Sequence, residues 1–248
     1  MIAGTSRAYA SHRSDHGAPP GAIRRQVESL AVAMCRLQAD PPIGPRIPAA
    51  AGGVGEDGDV TIDQVIAALT AQPFHSYADL AARSPTAAPK AHGLYAWWQT
   101  PGALPGVPGT PHPTDAAFEL LYVGTAPKDA ISKSNLRKRL SNHHRSAIGS
   151  STFRLDLTAF LWEREGWQPC WTDRPKLPDA DLAELGLWQS AHLRVQWVEC
   201  SQPWDIEKRV VHAMRPPLNR DHNDDHPAYS VVGDARDTIR AAARSHPC

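Results

Sequence analysis

The 248-residue chain carries 26 lysines and arginines against 26 aspartates and glutamates, a formal net charge of zero. That balance counts against a globally basic nucleic-acid binder and leaves any attraction for polyanions to a local basic face. No apolar run is long enough to span a bilayer and the first residues lack an apolar signal core, so a soluble cytoplasmic protein with ample length for a buried core is expected. The four cysteines, Cys35, Cys170, Cys200 and Cys248, are scattered without paired spacing and are expected to be reduced and mostly structural.

Residues 1–21 are polar and aperiodic, the pattern of a mobile tail. Ile23, Val27, Leu30, Ala31 and Met34 recur at helical spacing and predict an amphipathic helix over residues 22–37 that packs on the domain. The Pro/Gly-rich residues 40–59 form a linker and a boundary. Thr61 caps a helix expected to run through Gln72, with Ile62, Val65, Ile66 and Leu69 as its apolar face, and a short helix follows at 76–83.

Residues 92–98, HGLYAWW, read as a strand with Leu94, Ala96 and Trp98 on one face and Tyr95 and Trp97 on the other. A Pro/Gly-rich insert over 101–115 is expected to be a surface loop. Residues 118–123 form a second apolar strand, ended by Gly124 and Thr125. Pairing of the two strands brings the phenols of Tyr95 and Tyr122 side by side.

From Ser134 a basic helix is predicted. Leu136, Leu140 and Ala147 supply its apolar stripe, and Arg137, Lys138, Arg139, His143, His144 and Arg145 fill the other faces. Arg139 and His143 are four residues apart and so act on one object. With Lys128 and Lys133 leading in and only Asp129 opposing, that object is anionic.

Ser150, Ser151 and Thr152 open a short helix weighted by Leu155, Leu157, Phe160 and Leu161. Their hydroxyls and the helix amides either meet phosphate or, the commoner case, simply cap the helix. Residues 163–178, with Trp167, Cys170 and Trp171, read as an irregular connection. A helix is expected over 179–192, a strand over 193–200, and a helix over 204–214 started near Pro203 and ended by Pro216-Pro217. An acidic, histidine-rich loop over 221–226 and a final helix over 235–244 complete the chain. His222, Asp224, Asp225 and His226 lack strict ligand spacing, so a polar loop is the better reading than a metal site.

Gly93-Leu94-Tyr95, then Tyr122-Val123-Gly124, then Arg139 and His143 on the following helix, with Glu207 and Asn219 farther on, resemble in order the GIY-YIG nuclease superfamily. Leu94 and Val123 stand where isoleucines are usual, and two insertions, the one at 101–115 and another around 127–134, lengthen the path. The resemblance covers residues 91–223 and implies an α/β (α+β) domain, a small, mostly antiparallel sheet flanked by helices. It would occupy residues 91–233, after a tail, helix and linker (1–60) and a helical segment (61–90) that either caps the domain or helps hold DNA. A helix and tail (234–248) would follow.

The activity it implies is metal-dependent endonucleolytic hydrolysis of DNA. Glu207 would hold one Mg²⁺, or another divalent cation such as Mn²⁺, and Arg139 would bind nonbridging phosphate oxygens. Tyr95 would orient or deprotonate water with Tyr122 positioning it, His143 would accept or relay a proton, and Asn219 would tie its loop to the site. Lys128, Lys133, Arg137, Lys138 and Arg145 would line the DNA. A free tyrosine titrates near ~10 and histidine near neutrality, so the base is left open between them. The alternatives are a noncatalytic nucleic-acid-binding module, against which Glu207 speaks, and a protein-interaction or toxin-like factor. Cutting both strands with one site requires a homodimer or two encounters.

Overall fold

A computed structural model of the protein describes residues 61–81, 88–145 and 147–248, which belong to one compact unit, Glu56–Cys248. The tail, the helix expected at 22–37 and the linker lie outside the described residues.

Strand β2 (Gly93–Gln99) is the axis of the fold, with every residue buried. It pairs antiparallel with β4 (Glu119–Ala126) on one side and β7 (Leu193–Glu199) on the other. Two-residue strands β1 (His75–Ser76) and β3 (Thr110–Pro111) flank these, giving the antiparallel order β1-β7-β2-β4-β3. The alternation expected of β2 holds. Leu94, Ala96 and Trp98 join Leu69, Val210, Val211 and Met214 in one apolar cluster, under helices α1 (Ile62–Thr70) and α6 (Pro203–Met214). Tyr95 and Trp97 face the larger cluster on the opposite side. That cluster draws on α2 (Tyr77–Ala81), α3 (Leu136–Arg145), α4 (Thr152–Glu165), α5 (Asp179–His192) and α7 (Tyr229–Arg244). A sheet buried on both faces cannot read as a simple polar/apolar alternation.

Local chemistry sets the helix ends. Thr61 and Gln64 form a reciprocal capping box at the start of α1, and the Thr70 hydroxyl turns back onto the Ile66 carbonyl where α1 stops. Gly166, in the left-handed conformation, ends α4. No described helix is long and apolar enough to cross a membrane.

Several expectations are corrected. Gly124 and Thr125 do not end their strand, which runs on to Ala126 because Gly93, Leu94 and Tyr95 supply ladder partners as far as that residue. The 101–115 insert is not merely a surface loop. Leu104, Val107 and His112 are buried, and Gln99 holds the loop by donating to the Val107 carbonyl and accepting from the Leu104 amide. Residues 163–178 are not all irregular, since α4 extends to Glu165 and a hairpin follows, β5 (Cys170–Trp171) with β6 (Pro175–Lys176). The final helix begins at Tyr229, ahead of the expected 235, with Val232, Ile239 and Ala243 on its buried stripe. Cys170 and Cys248 are not reduced but form a disulfide, their Cα atoms 5.1 Å apart, while Cys200 is free.

Candidate active site

The β2–β4 register sets Tyr95 opposite Gly124 and Trp97 opposite Tyr122, so the two tyrosines are diagonal neighbours on one face. A bulge follows at once, Trp98 pairing with Leu120, which leaves Leu121 as the extra residue and lets Leu121 and Tyr122 both serve the larger core. The phenol rings lie 6.3 Å apart between centroids. Gly124 makes this possible, because a Cβ there would sit 2.3 Å from the Tyr95 hydroxyl oxygen.

Helix α3 brings in the third and fourth groups. Asn135 caps it by accepting from the Lys138 amide, and the amides of Leu136 and Arg137 donate to the carbonyls of Ala91 and Pro89 just ahead of β2. The helix start is therefore pinned to the strand and its first amides are spent on protein. Positive charge reaches the site through the Arg139 side chain. Arg139 Nε donates to Tyr95 Oη at 3.2 Å, with the Tyr122 phenol close enough to act on its charge. One turn on, His143 Nε2 lies 2.8 Å from the same Tyr95 oxygen. His143 is buried, and its Nδ1 lies 2.8 Å from Ser151 Oγ.

His143 and His144 are adjacent on α3 and take different partners. His144 packs edge-on against Tyr77, with ring centroids 4.1 Å apart, while His143 is the imidazole hydrogen-bonded to Tyr95. The end of α3 is fixed by polar groups as well. Gln189 donates to the His143 carbonyl, the Tyr77 hydroxyl lies 2.9 Å from that oxygen, and the Arg154 guanidinium bonds the His144 carbonyl.

Electrostatics differ sharply among these groups. Burial raises the Tyr95 phenol above its ordinary value, against the opposing pull of Arg139. Burial raises Tyr122 too, with the nearby Tyr95 adding to it. His143 is held well below 6.5, first by burial and then by the charges of Arg139 and Arg154, so it is neutral at physiological pH. Arg139 is pushed up, chiefly by Tyr95, and stays charged.

Glu207 projects from α6 beside Thr125, the residue after the Tyr-Val-Gly run, whose hydroxyl eases its carboxyl downward. Burial raises its carboxyl, and among the described residues no lysine or arginine lies within ion-pair distance of it. Also among the described residues, no three His, Cys, Asp or Glu converge as a cation cluster. A partly buried carboxylate without an ion-pair partner fits a cation held by one protein oxygen, with waters and substrate oxygens completing its shell, the habit of Mg²⁺. It does not fit an all-protein cage.

Asn219 is buried and serves as a false strand neighbour. Its Oδ1 accepts from the Val123 amide at 2.9 Å and its Nδ2 donates to the Val123 carbonyl at 2.8 Å, while the Leu218 amide donates to the Leu121 carbonyl. The loop after α6 thus continues the edge of β4 beyond the two residues of β3. Asn223 ties the loop internally through the Pro216 and Asn219 carbonyls. Of the neighbouring loop, Asp225 pairs with Arg215 and His226 Nδ1 accepts from the Ala228 amide.

The basic residues divide. Lys128, Lys133, Arg137 and Lys138 are all exposed, but Arg137 commits its Nε to the Ala88 carbonyl. Arg145 closes α3, and its side chain lies outside the described set. Sequence reasoning missed Thr125, Tyr77 and Gln189 as parts of this site, and it read Ser151 as a phosphate contact or, more commonly, a helix cap. The capping reading holds, since Ser151 Oγ accepts from the Arg154 amide. Its contact with an imidazole eight residues upstream left no signal in the sequence.

The family model that matches this chain is the GIY-YIG catalytic domain, over residues 93–237, more than half its length. The chain belongs to that family, whose catalytic domain is in general a nuclease domain, and its antiparallel sheet flanked by helices is consistent with the family's fold. No curated protein and no solved structure matches it.

Proposed function

We propose that the protein is a metal-dependent endonuclease that hydrolyses DNA phosphodiester bonds. The observation that carries this reading is the convergence on one atom: Tyr95 Oη meets the Arg139 guanidinium and the His143 imidazole, with the Tyr122 ring alongside. The field of Glu207 reaches both tyrosines.

Each residue has a distinct task. Arg139 keeps its charge at any working pH; with Nε committed to Tyr95, its remaining donors serve Tyr122 and the nonbridging oxygens of a scissile phosphate. Tyr122 is only partly buried as a residue, while Tyr95 is wholly covered and organises the others. Tyr122 orients the attacking water, and Tyr95 sets its direction from behind. Glu207 is the residue that would hold the divalent cation, magnesium or manganese, and such an ion neutralises charge on the departing oxygen. Asn219 keeps the Tyr122-Val123-Gly124 segment flat from the outside edge. Lys128, Lys133, Lys138 and, through whatever donors it keeps free, Arg137 follow the phosphate backbone with Arg145, which makes binding salt-sensitive.

The test is incubation of supercoiled plasmid with purified protein, in magnesium or in EDTA, beside Arg139→Ala and Glu207→Gln. We expect nicked circles to precede linear product, since each chain carries one such site among its described residues, and no product in EDTA. Arg139→Ala should slow cleavage by roughly 10²–10³-fold, the usual loss when a donor to developing charge is removed. Glu207→Gln should bind DNA without cutting it. Wild-type rates in Glu207→Gln would remove the metal assignment, and salt-sensitive binding with no cleavage by any form would select the noncatalytic module.

A further inference from the structure

Buried polar hydrogens must find acceptors, and that requirement fixes a proton the fold alone leaves open. Ser151 is 3 % exposed. Among the described residues its hydroxyl oxygen has two polar neighbours, the Arg154 amide at 3.3 Å and His143 Nδ1 at 2.8 Å. The amide occupies one lone pair. Were Nδ1 also a donor, the serine hydrogen would be buried with no acceptor. The serine therefore donates to Nδ1, and the imidazole, neutral in this surrounding, carries its hydrogen on Nε2.

From this we infer that Ser151 is a positioning residue that sets the His143 tautomer, making His143 a hydrogen-bond donor to Tyr95 Oη instead of the acceptor of the Tyr95 proton. The inference deepens the nuclease reading and rests on it for its functional consequence. Nε2–H donates across 2.8 Å and Arg139 Nε–H across 3.2 Å, so both lone pairs of the Tyr95 oxygen are filled by the protein. The Tyr95 hydrogen is then turned away from both donors, on the side where the Tyr122 ring lies 6.3 Å off between centroids. Two fixed donors favour negative charge on that oxygen, the condition a phenol needs to act as a proton acceptor in a buried site. The Gln189 donation and the Tyr77 contact at the His143 carbonyl hold the ring's backbone while Ser151 holds its far nitrogen. Ser151 reaches this role because it is also the residue that starts α4, so helix entry and tautomer are set by one hydroxyl.

The test is long-range ¹H–¹⁵N correlation of the ring nitrogens in the full chain labelled with ¹⁵N-histidine, with His143 assigned by its loss in His143→Gln. We expect a pyridine-like Nδ1 and a pyrrole-like Nε2. A pyrrole-like Nδ1 overturns the proposal whether or not the protein cuts DNA, so its failure is distinguishable from failure of the nuclease reading. Ser151→Gly removes the whole side chain, hydroxyl included, yet retains most of the capping energy. It should shift His143 to a mixture of tautomers and lower single-turnover cleavage roughly tenfold or more, with DNA affinity unchanged. Ser151→Thr should restore both the spectrum and the rate. A Ser151→Gly spectrum identical to wild type would also overturn the assignment, since a merely structural cap leaves the ring nitrogens as they were.

Discussion

The Tyr95 ring lies so close over Gly124 that a single methyl group has nowhere to go. Both atoms nearest to a Cβ there belong to that ring, at 2.3 and 2.5 Å, and the ring is fixed by Arg139 and His143 on its hydroxyl. Gly124→Ala must push Tyr95 off its partners, at a cost of about 1–3 kcal/mol by the usual penalty of overpacking. We expect a lower denaturation midpoint together with loss of cleavage, and an unchanged midpoint would show that the ring yields. His143 makes a second residue-scale statement, about pH. Its folded pKa is depressed well below the 6.5 of the unfolded chain. Its contribution is therefore complete above that value and is lost as pH falls, because the unfolded chain takes up a proton that the folded one refuses. Urea unfolding of wild type and His143→Gln between about pH 7.5 and pH 5.5 should show a steeper acid decline in the wild type. Other histidines with lowered values, His75, His192 and His226, contribute equally to both proteins and cancel in the difference. At this scale the residues on regular elements were legible: Tyr95 and Trp97 against Leu94, Ala96 and Trp98 followed from strand parity. Thr125 and Ser151 were not, because their partners Glu207 and His143 meet them only after α6 and α4 are packed.

Among the elements, the edge of β4 shows how a loop substitutes for a strand. Asn219 satisfies both main-chain groups of Val123 as a neighbouring strand would, with Leu218 supplying the next rung. Asn219→Ala leaves a buried amide and carbonyl without partners and should cost about 2–4 kcal/mol. Urea denaturation measures the loss, and accelerated hydrogen exchange at the Val123 amide locates it. An undisturbed Val123 amide would mean that water replaces the side chain. Helix α5 was predicted to the residue, since Pro178 marks its start and the apolar run of the following strand its end. The 101–115 insert was misread because its prolines and glycines dominate its composition. Leu104 and Val107, the residues that fold it back, carry no period of their own and depend on Gln99 for their seat. Gly233 likewise disguised the start of α7, where it makes room for the Arg220 guanidinium, whose atoms would lie 3.2–3.5 Å from a Cβ.

At the scale of the whole molecule the chain is closed by covalent as well as apolar means. The buried Asp156 accepts both nitrogens of Arg236, joining α4 to α7, and burial still lifts the Asp156 carboxyl to about 6. Beyond α7, Cys248 is bonded to Cys170 on the β5–β6 hairpin, with Arg244 lying over the Trp171 ring. The disulfide spans 78 residues, for which the chain-entropy estimate gives about 4 kcal/mol. Reduction should therefore lower the melting temperature by roughly 10 °C. Melting with and without reductant, and again in Cys248→Ser, checks this; an unchanged midpoint would mean that the apolar contacts alone hold the terminus. Four scattered cysteines gave no hint of this pairing, because proximity between residues so far apart is a product of the finished fold.

The bond has a topological consequence for the site. Glu207 and Asn219 both lie inside the ring closed by Cys170 and Cys248, whereas Tyr95, Tyr122, Arg139 and His143 lie on the open chain before it. A cut between Cys170 and Glu207 leaves the carboxylate-bearing piece tethered to the piece that carries the phenols and the guanidinium. Damage that would release half of the constellation from a linear chain here yields a two-fragment molecule with all of its parts still leashed together, separable only after a reductant has opened the leash.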